Sequence, residues 1–374
     1  MKMLSTHWPL IAGALLPWGS LAAAALFTPR LSRPDLFFAV TVNPSFRQSP
    51  AGRDILRQYD RFIVIMALLA LLPIGCLLLQ GRLPLLIAGL LGPVFVELAG
   101  WFGAFLMARG RAKPYHVTPT SEREASLQPR RISLPGGWLA QAGPFLILAM
   151  IFLCLGLRWD AIPARIPVHW GVSGRPDGWA AKSPISVFGT AAIGLLICSF
   201  LAVLWCAMAH GVRRIHSAGP RGMRETRFFR AISFFMLGME YWLALLMGLL
   251  SLAALRPNPE APLPAFLPIL LGQTLLISTI FFIGYRAGQG GWRWGTAAEG
   301  QMMPADSVVV GDRTPDECWK LGLFYVNRDD PALFVEKRFG IGWTVNLANP
   351  RALWFIGGLL FFIAAILSIS LLTK

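Results

Sequence analysis

Along the chain, apolar stretches of about 20 residues alternate with short or basic polar breaks. A helix rises about 1.5 Å per residue, so runs of this length match the hydrocarbon thickness of a bilayer. Eight such runs predict eight transmembrane helices, at roughly 8–28, 62–80, 84–107, 139–157, 185–209, 231–255, 262–285 and 352–372. Within them the apolar residues are continuous rather than alternating, which argues against a membrane β-barrel. Only Lys2 precedes the first run and no small-residue cleavage site follows it, so a retained helix is expected rather than a removed signal peptide. Pro73, Pro93 and Pro268 fall within these runs and are expected to kink them.

The breaks carry a second signal. Segments 29–61, 108–138, 210–230 and 286–351 hold 26 of the 34 Lys and Arg residues, and the intervening connections hold the rest. Cytoplasmic loops carry the Lys/Arg excess. The expected fold is therefore an all-α polytopic membrane protein of about eight transmembrane helices, N-out/C-out. The cytoplasmic segment between helices 7 and 8 has β character. There, 319–326 is rich in aromatic and β-branched residues and reads as a strand, with 333–336 and 341–347 as two more. Asn327-Arg328-Asp329-Asp330-Pro331 reads as a turn, and Lys337 and Arg338 are placed at lipid headgroups. Arg286, Trp292, Arg293 and Trp294 read as an interface anchor.

These breaks divide the chain into five parts. Residues 1–138 form a three-helix region with basic loops, and 139–209 a helix–loop–helix module with an outer-face motif at 165–182. Residues 210–285 carry helices 6 and 7, 286–351 the cytoplasmic segment, and 352–374 the last helix.

Composition supports this reading. The chain is 55% hydrophobic and only 14% charged, where soluble proteins carry about a quarter charged residues. Its net charge of +15 follows from the loop bias and favours anionic lipid. No compact basic domain carries the charge, so the lipid bilayer is the expected partner and nucleic acid is not. The five cysteines, Cys76, Cys154, Cys198, Cys206 and Cys318, lack metal-ligand spacing and read as packing residues. There is no Gly-x-Ser-x-Gly elbow, no His-Glu-x-x-His and no phosphate-cradling Gly-Lys-Ser/Thr, so no catalytic residue, metal or cofactor is assigned.

The one sizeable polar connection on the outer side is Arg165-Ile166-Pro167-Val168-His169-Trp170-Gly171-Val172-Ser173-Gly174-Arg175-Pro176-Asp177-Gly178-Trp179-Ala180-Ala181-Lys182. It reads as a short loop. His169, Trp170, Asp177, Trp179 and Lys182 are its candidate recognition residues. The imidazole and carboxylate suit contact with a ligand, while two groups fall short of the three or four ligands of a zinc site. A structural reading stands beside this one: Pro176-Asp177-Gly178 as a tight turn, with Trp170 and Trp179 as interfacial anchors.

Glu97 and Glu240 lie near the middle of spans 3 and 6, where a carboxylate costs about 2.5–3.5 kcal/mol on insertion scales. Gln273 in span 7 is a candidate partner. They read either as a midplane substrate or proton site, or as neutral glutamates bonding neighbouring helices.

The outer motif resembles that of SdpI-like bacterial membrane proteins, which carry the domain-of-unknown-function family 1648. The matching residues are Ile166-Pro167, His169-Trp170, Gly174, Pro176-Asp177-Gly178-Trp179 and Lys182. Phe324-Tyr325-Val326-Asn327, Asp329-Asp330-Pro331 and 338–346 similarly resemble a short C-terminal domain of unknown function. The resemblance implies a multi-pass protein of the bacterial plasma (inner) membrane. The best-described member is an immunity protein against a secreted killing factor and holds a transcriptional repressor at the membrane. The expectation carried over is immunity or signalling, with a secreted peptide or toxin at the outer face and a protein partner in the cytoplasm. The alternatives are a proton-coupled secondary transporter and a membrane-embedded enzyme.

Overall fold

A computed structural model describes residues 2–80, 83–119, 135–171, 174–211, 220–261, 266–294, 312 and 314–372. Eight long helices stand among them, each coinciding with one expected apolar run: α1 (Lys2–Leu31), α2 (Pro50–Gln80), α3 (Leu83–Ala112), α4 (Gly137–Leu157), α5 (Pro184–Gly211), α6 (Pro220–Leu252), α7 (Phe266–Ala287) and α8 (Arg351–Leu372). Among the described residues, α4 to α8 are long and apolar enough to cross a membrane. With so many such helices, this is a multi-pass membrane protein. Pro93 does lie inside α3. Pro268 instead stands in the first turn of α7, where a missing backbone N–H leaves no bond unmade.

The helices pack in two groups. α1, α2 and α3 form one, and α4, α5 and α6 the other. α7 bridges them, with Phe281 edge-on to Phe27 of α1 and the Trp242 ring of α6 beside Gly272. A Cβ at Gly272 would lie 2.4 Å from that ring, so only glycine permits the approach. α8 lies outside, stacking Phe362 on Phe200 of α5 and leaving Trp354 and Phe361 largely exposed, as suits a lipid-facing helix.

Segments expected to be separate loops fold together into one cap at the basic end. It contains the hairpin β1 (Leu36–Phe37) and β2 (Val40–Thr41), the hairpin β5 (Trp319–Lys320) and β6 (Phe324–Tyr325), and the hairpin β7 (Phe334–Glu336) and β8 (Trp343–Val345). The single strand expected over 319–326 is thus two short strands. Leu321 and Gly322, both with positive φ, reverse the chain between them. Residues 334–336 and 343–345 are strands as expected.

Arg338 corrects a further expectation. It is fully buried rather than at the headgroups. Its guanidinium grips Asp312 through two bonds, of 2.7 and 2.9 Å, and also bonds Asp316 and the Thr314 carbonyl. The indole of Trp319 lies under it, 5.4 Å from centroid to guanidinium. Burial alone would lower the Arg338 pKa, but Asp312 and Asp316 outweigh it and hold it raised. Trp292 and Arg293 likewise point into the protein: they donate to the carbonyls of Leu31 and Arg30 at the end of α1, rather than anchoring in lipid.

The turn joining β1 to β2 explains why these arginines are inside. Phe38 and Ala39 both have positive φ, 46° and 61°, a conformation that usually recruits Asn-Gly and costs other residues about 1–3 kcal/mol each. Their carbonyls accept bonds from Arg109 at the end of α3, 3.3 and 2.6 Å long. Phe38 then packs among Tyr59, Phe105 and Phe339, joining α2, α3 and the C-terminal part of the cap. Burial of a Phe stabilises by about 1.5–3 kcal/mol, enough to offset much of the turn's strain.

Two outcomes follow. Replacing Arg338 with Ala leaves the half-buried Asp312 and Asp316 without their cation, so the cap is expected to lose roughly 3 kcal/mol, measured as denaturant-dependent protection of the cap from protease. Separately, burial raises Glu336 from an ordinary 4.5 to about 7, with Arg33 opposing the shift. A folded acid with a raised pKa binds its proton more tightly than the unfolded chain does. Its contribution is complete below pH 4.5 and is lost as pH rises through about 7. Glu336→Gln should flatten the fall in cap stability between pH 5 and 8, measured by the same protection assay in a pH series.

Candidate functional site

The connection between α4 and α5 is a hairpin, not a loop. β3 (Arg165–Trp170) pairs antiparallel with β4 (Pro176–Ala181). Alternation along β3 decides which side chains face the helices. Ile166 is buried in a cluster with Leu155, Val187 and Ala254, Val168 packs on that cluster, and Trp170 packs on Ala253 just past the end of α6, where Leu250 of α6 and Ile269 of α7 also meet it. His169, between them, points outward.

Pro176-Asp177-Gly178 is not the turn. All three residues lie in β4, and the chain reverses at Gly171–Arg175. There the Gly171 N–H donates to Arg175 O (2.8 Å), the Gly174 N–H donates to Gly171 O (2.8 Å), and Gly174 supplies the positive φ, +74°. Register explains the motif better. His169 pairs with Gly178, and a Cβ at Gly178 would meet the His169 Cβ at 2.7 Å. Gly178 therefore makes room for the imidazole, and Asp177 beside it takes the imidazole's proton-bearing edge. His169 Nδ1 and Asp177 Oδ1 are 2.5 Å apart, with 72% and 54% of the two side chains exposed.

Nδ1–H donating to the carboxylate leaves Nε2 outward as an acceptor in neutral histidine and as a donor once protonated. The pair can present an oriented hydrogen-bonding group to an external partner. An exposed pair of this kind contributes only about 0–1 kcal/mol to folding.

Lys182 has a different environment. Its ammonium donates to the carbonyls of Trp159 (2.7 Å) and Ile162 (3.0 Å) and sits 4.9 Å from the centroid of the Trp159 ring. Its N–H bonds Ala164 O (2.8 Å). Lys182 therefore ties the base of the hairpin to the end of α4. Next to it, Ser183 caps α5 by accepting from the Ser186 N–H (3.1 Å), and Pro184 occupies the first helical position. Trp179 is half-buried under the Arg165 guanidinium, 5.5 Å away. Trp170 is packed against α6 and α7 rather than free as an interfacial anchor.

The membrane-embedded polar residues are not brought together. Glu97 is 5% exposed in a small pocket lined by Leu21, Ala22, Ala25, Ile63, Met66 and Ala67, and neither carboxyl oxygen has a hydrogen-bond partner among the described residues. Glu240 is buried in the other helix group, where the Cys198 thiol approaches its backbone carbonyl at 3.7 Å. Gln273 is exposed on α7 and partners neither carboxyl oxygen of Glu97. Among the described residues, no group of three or more His, Cys, Asp or Glu side chains is placed to hold a metal.

Two roles within the site carried little signal in the sequence. Gly178 matters through one cross-strand contact, visible only once the register is known. The Arg165–Trp179 stack is of the same kind, since strand pairing alone brings the two side chains together.

Residues 145–195 match the domain of unknown function DUF1648, a stretch that contains the hairpin and the adjoining parts of α4 and α5. Residues 328–353 match the family of unknown function DUF5808, covering β7, β8 and the start of α8. No curated protein and no solved structure matches the chain. Each similarity covers a small part of the chain, and neither family has an assigned activity.

The packing separates folding roles from presentation. His169→Ala should change unfolding free energy by less than about 1 kcal/mol. Lys182→Met, which removes two charge-assisted bonds, should cost roughly 1.5–3 kcal/mol. Gly178→Ala should also destabilise, by about 1–3 kcal/mol, because the new methyl overpacks against His169. Thermal unfolding of the three purified variants in one detergent checks the order.

Proposed function

We propose that this chain is an eight-span protein of the bacterial plasma membrane that recognises a secreted peptide or toxin through the β3–β4 hairpin, in an immunity or signalling role. The observation that carries the reading is the exposed His169–Asp177 pair. It is oriented by strand register, yet it supports little of the fold, whereas Lys182, Trp170 and Ile166 are occupied in packing. The Lys/Arg excess at the opposite end supports an outward-facing hairpin and a cytoplasmic cap.

α6 supplies a route between the two ends. Its C-terminal end receives Trp170, while near its N-terminal end Phe228 and Phe229 pack on Trp343 of β8. A ligand that displaced Trp170 would act on the helix that also supports the cap, where a cytoplasmic protein partner would be engaged.

A second reading, proton-coupled transport, draws on carboxyl oxygens with no partner among the described residues: both of Glu97, in an apolar pocket, and Oε2 of Glu240. Glu240 and Gln273 do not join Glu97, so no shared midplane site supports this reading.

The test uses a strain lacking the chain, complemented with wild type, His169→Ala or Asp177→Asn at equal membrane abundance. Each is challenged with secreted peptides from a killing-competent culture. Loss of a charge-assisted contact of about 1.5–3 kcal/mol corresponds to about tenfold or more in affinity. The expected result is protection by wild type and a matching rightward shift in the killing curve for both variants. Identical curves for wild type, variants and empty vector would overturn the proposal.

A further inference from the structure

At the cap end, α3 and α7 both pack against α1. They leave a cleft of about 500 Å³, within the ~300–1,000 Å³ typical of ligand pockets. Its walls are apolar: Leu98 and Phe102 from α3 and Phe281 from α7, with Phe339 and Ile341 of the cap as its roof. Along α3 it runs from Leu98 to Phe105, about 10 Å at the helical rise. That depth lies within one leaflet of a bilayer whose hydrocarbon core is about 30 Å thick. Leu98 and Phe102 are 44% and 42% exposed, so the cleft opens sideways between the helices.

One cation lines this apolar cleft. Lys337 stands in the turn from β7 to β8, where its backbone is held on both sides. Its N–H donates to Gly342 O (3.0 Å) and its carbonyl accepts from the Gln289 side chain. The side chain is exposed and has no ion-pair partner among the described residues. Strand alternation sends its neighbour Glu336 to the other side, toward Gly290. Among the polar side chains in the lining, the Thr28 hydroxyl donates to Ala24 O within α1 (2.6 Å) and the Trp101 indole N–H is buried.

We propose that this cleft binds an anionic phospholipid of the cap-side leaflet, with one acyl chain in the slot and the headgroup phosphate on Lys337. The occupant follows from three features: lateral opening to the bilayer, an apolar slot that takes the headgroup-proximal part of a chain, and a cation with no ion-pair partner among the described residues where the headgroup would lie. The charge bias at this end concentrates anionic lipid there. Phospholipid binding at the cleft would brace α1, α3 and α7 against the cap, independently of what the hairpin recognises.

The test is native mass spectrometry of the full chain released from nanodiscs of phosphatidylcholine containing phosphatidylglycerol. Wild type should retain one phospholipid per chain with about fivefold preference for phosphatidylglycerol, the effect of one lysine near an anionic surface. Lys337→Gln, a change at an exposed position, should reduce the preference to near one while still retaining lipid. Ala24→Phe, which fills the slot from α1, should lose bound lipid of both kinds. Retention by Lys337→Gln with unchanged preference overturns the proposal, as does a free fatty acid in place of phospholipid. Elution as a single folded species qualifies Ala24→Phe for comparison, and Lys337→Gln decides the matter by itself.

Discussion

A guanidinium with no exposed surface is tolerated only when its charge and its N–H groups are all met, because an uncompensated buried charge costs several kcal/mol. Arg338 meets that condition with Asp312, Asp316 and Thr314, and the rest of the cap depends on this arrangement. Asp316 extends it to the Thr41 hydroxyl (2.7 Å). Arg338 itself approaches the Ala39 carbonyl at 3.5 Å, beside the bond from Arg109. One ionic cluster therefore joins residues near 40, 109, 312 and 338, which lie on four separate stretches of chain. The strained Phe38–Ala39 turn persists because these partners hold its carbonyls and Phe38 is locked among rings from α2, α3 and the cap.

The same logic gives the two ends of the protein different characters. At the cap end, arginines expected at the membrane surface are turned inward and used as structural ties. At the hairpin end, the base is tied by Lys182 and the capped start of α5, and the tip presents His169 with its orienting carboxylate. Lys182 and Ser183, which tie the base of the hairpin, are satisfied and half-buried, whereas the His169–Asp177 pair is satisfied and exposed. That contrast, more than the residue types themselves, distinguishes presentation from support.

How much of this was legible in the sequence depended on the range of the interactions. Apolar runs near 20 residues report a local property, backbone satisfaction inside lipid, and every expected span coincides with a helix. β7 and β8 were likewise readable from aromatic and β-branched content. The β3–β4 hairpin was missed because Pro167, Gly178 and alanines dilute the strand signal, and Pro176-Asp177-Gly178 imitates a turn. Register overrode that local preference: Gly178 is required opposite His169, and Gly174 takes the turn. Arg338 was misplaced because a Lys-Arg pair before an apolar helix resembles a headgroup anchor. Its acids lie 22 and 26 residues upstream, so no local pattern announces them. Glu97, Glu240 and Gln273 shared a depth in the membrane, but depth alone does not say which helices are neighbours. α3 packs with α1 and α2, and α6 packs with α4 and α5, so the carboxylates lie in different groups.

The helix joining the two ends limits how they can act on each other. α6 is 33 residues long and has no described proline after its first position, so it transmits displacement as a rod rather than through a hinge. At one end it meets a single indole, and at the other it meets Trp343 beside the cluster of Phe334 and Phe228. Closely packed side chains shift between discrete arrangements instead of deforming continuously. A small movement of Trp170 therefore reaches the cap only if the aromatic cluster has a second packing of similar energy. Gly291 makes such repacking sterically demanding, since its backbone lies against Arg224 and Phe228 and a Cβ there would fall 2.9 Å from the Arg224 carbonyl. The cap-end joint is thus tight at α6, while the α1–α3–α7 cleft leaves space beneath the cap.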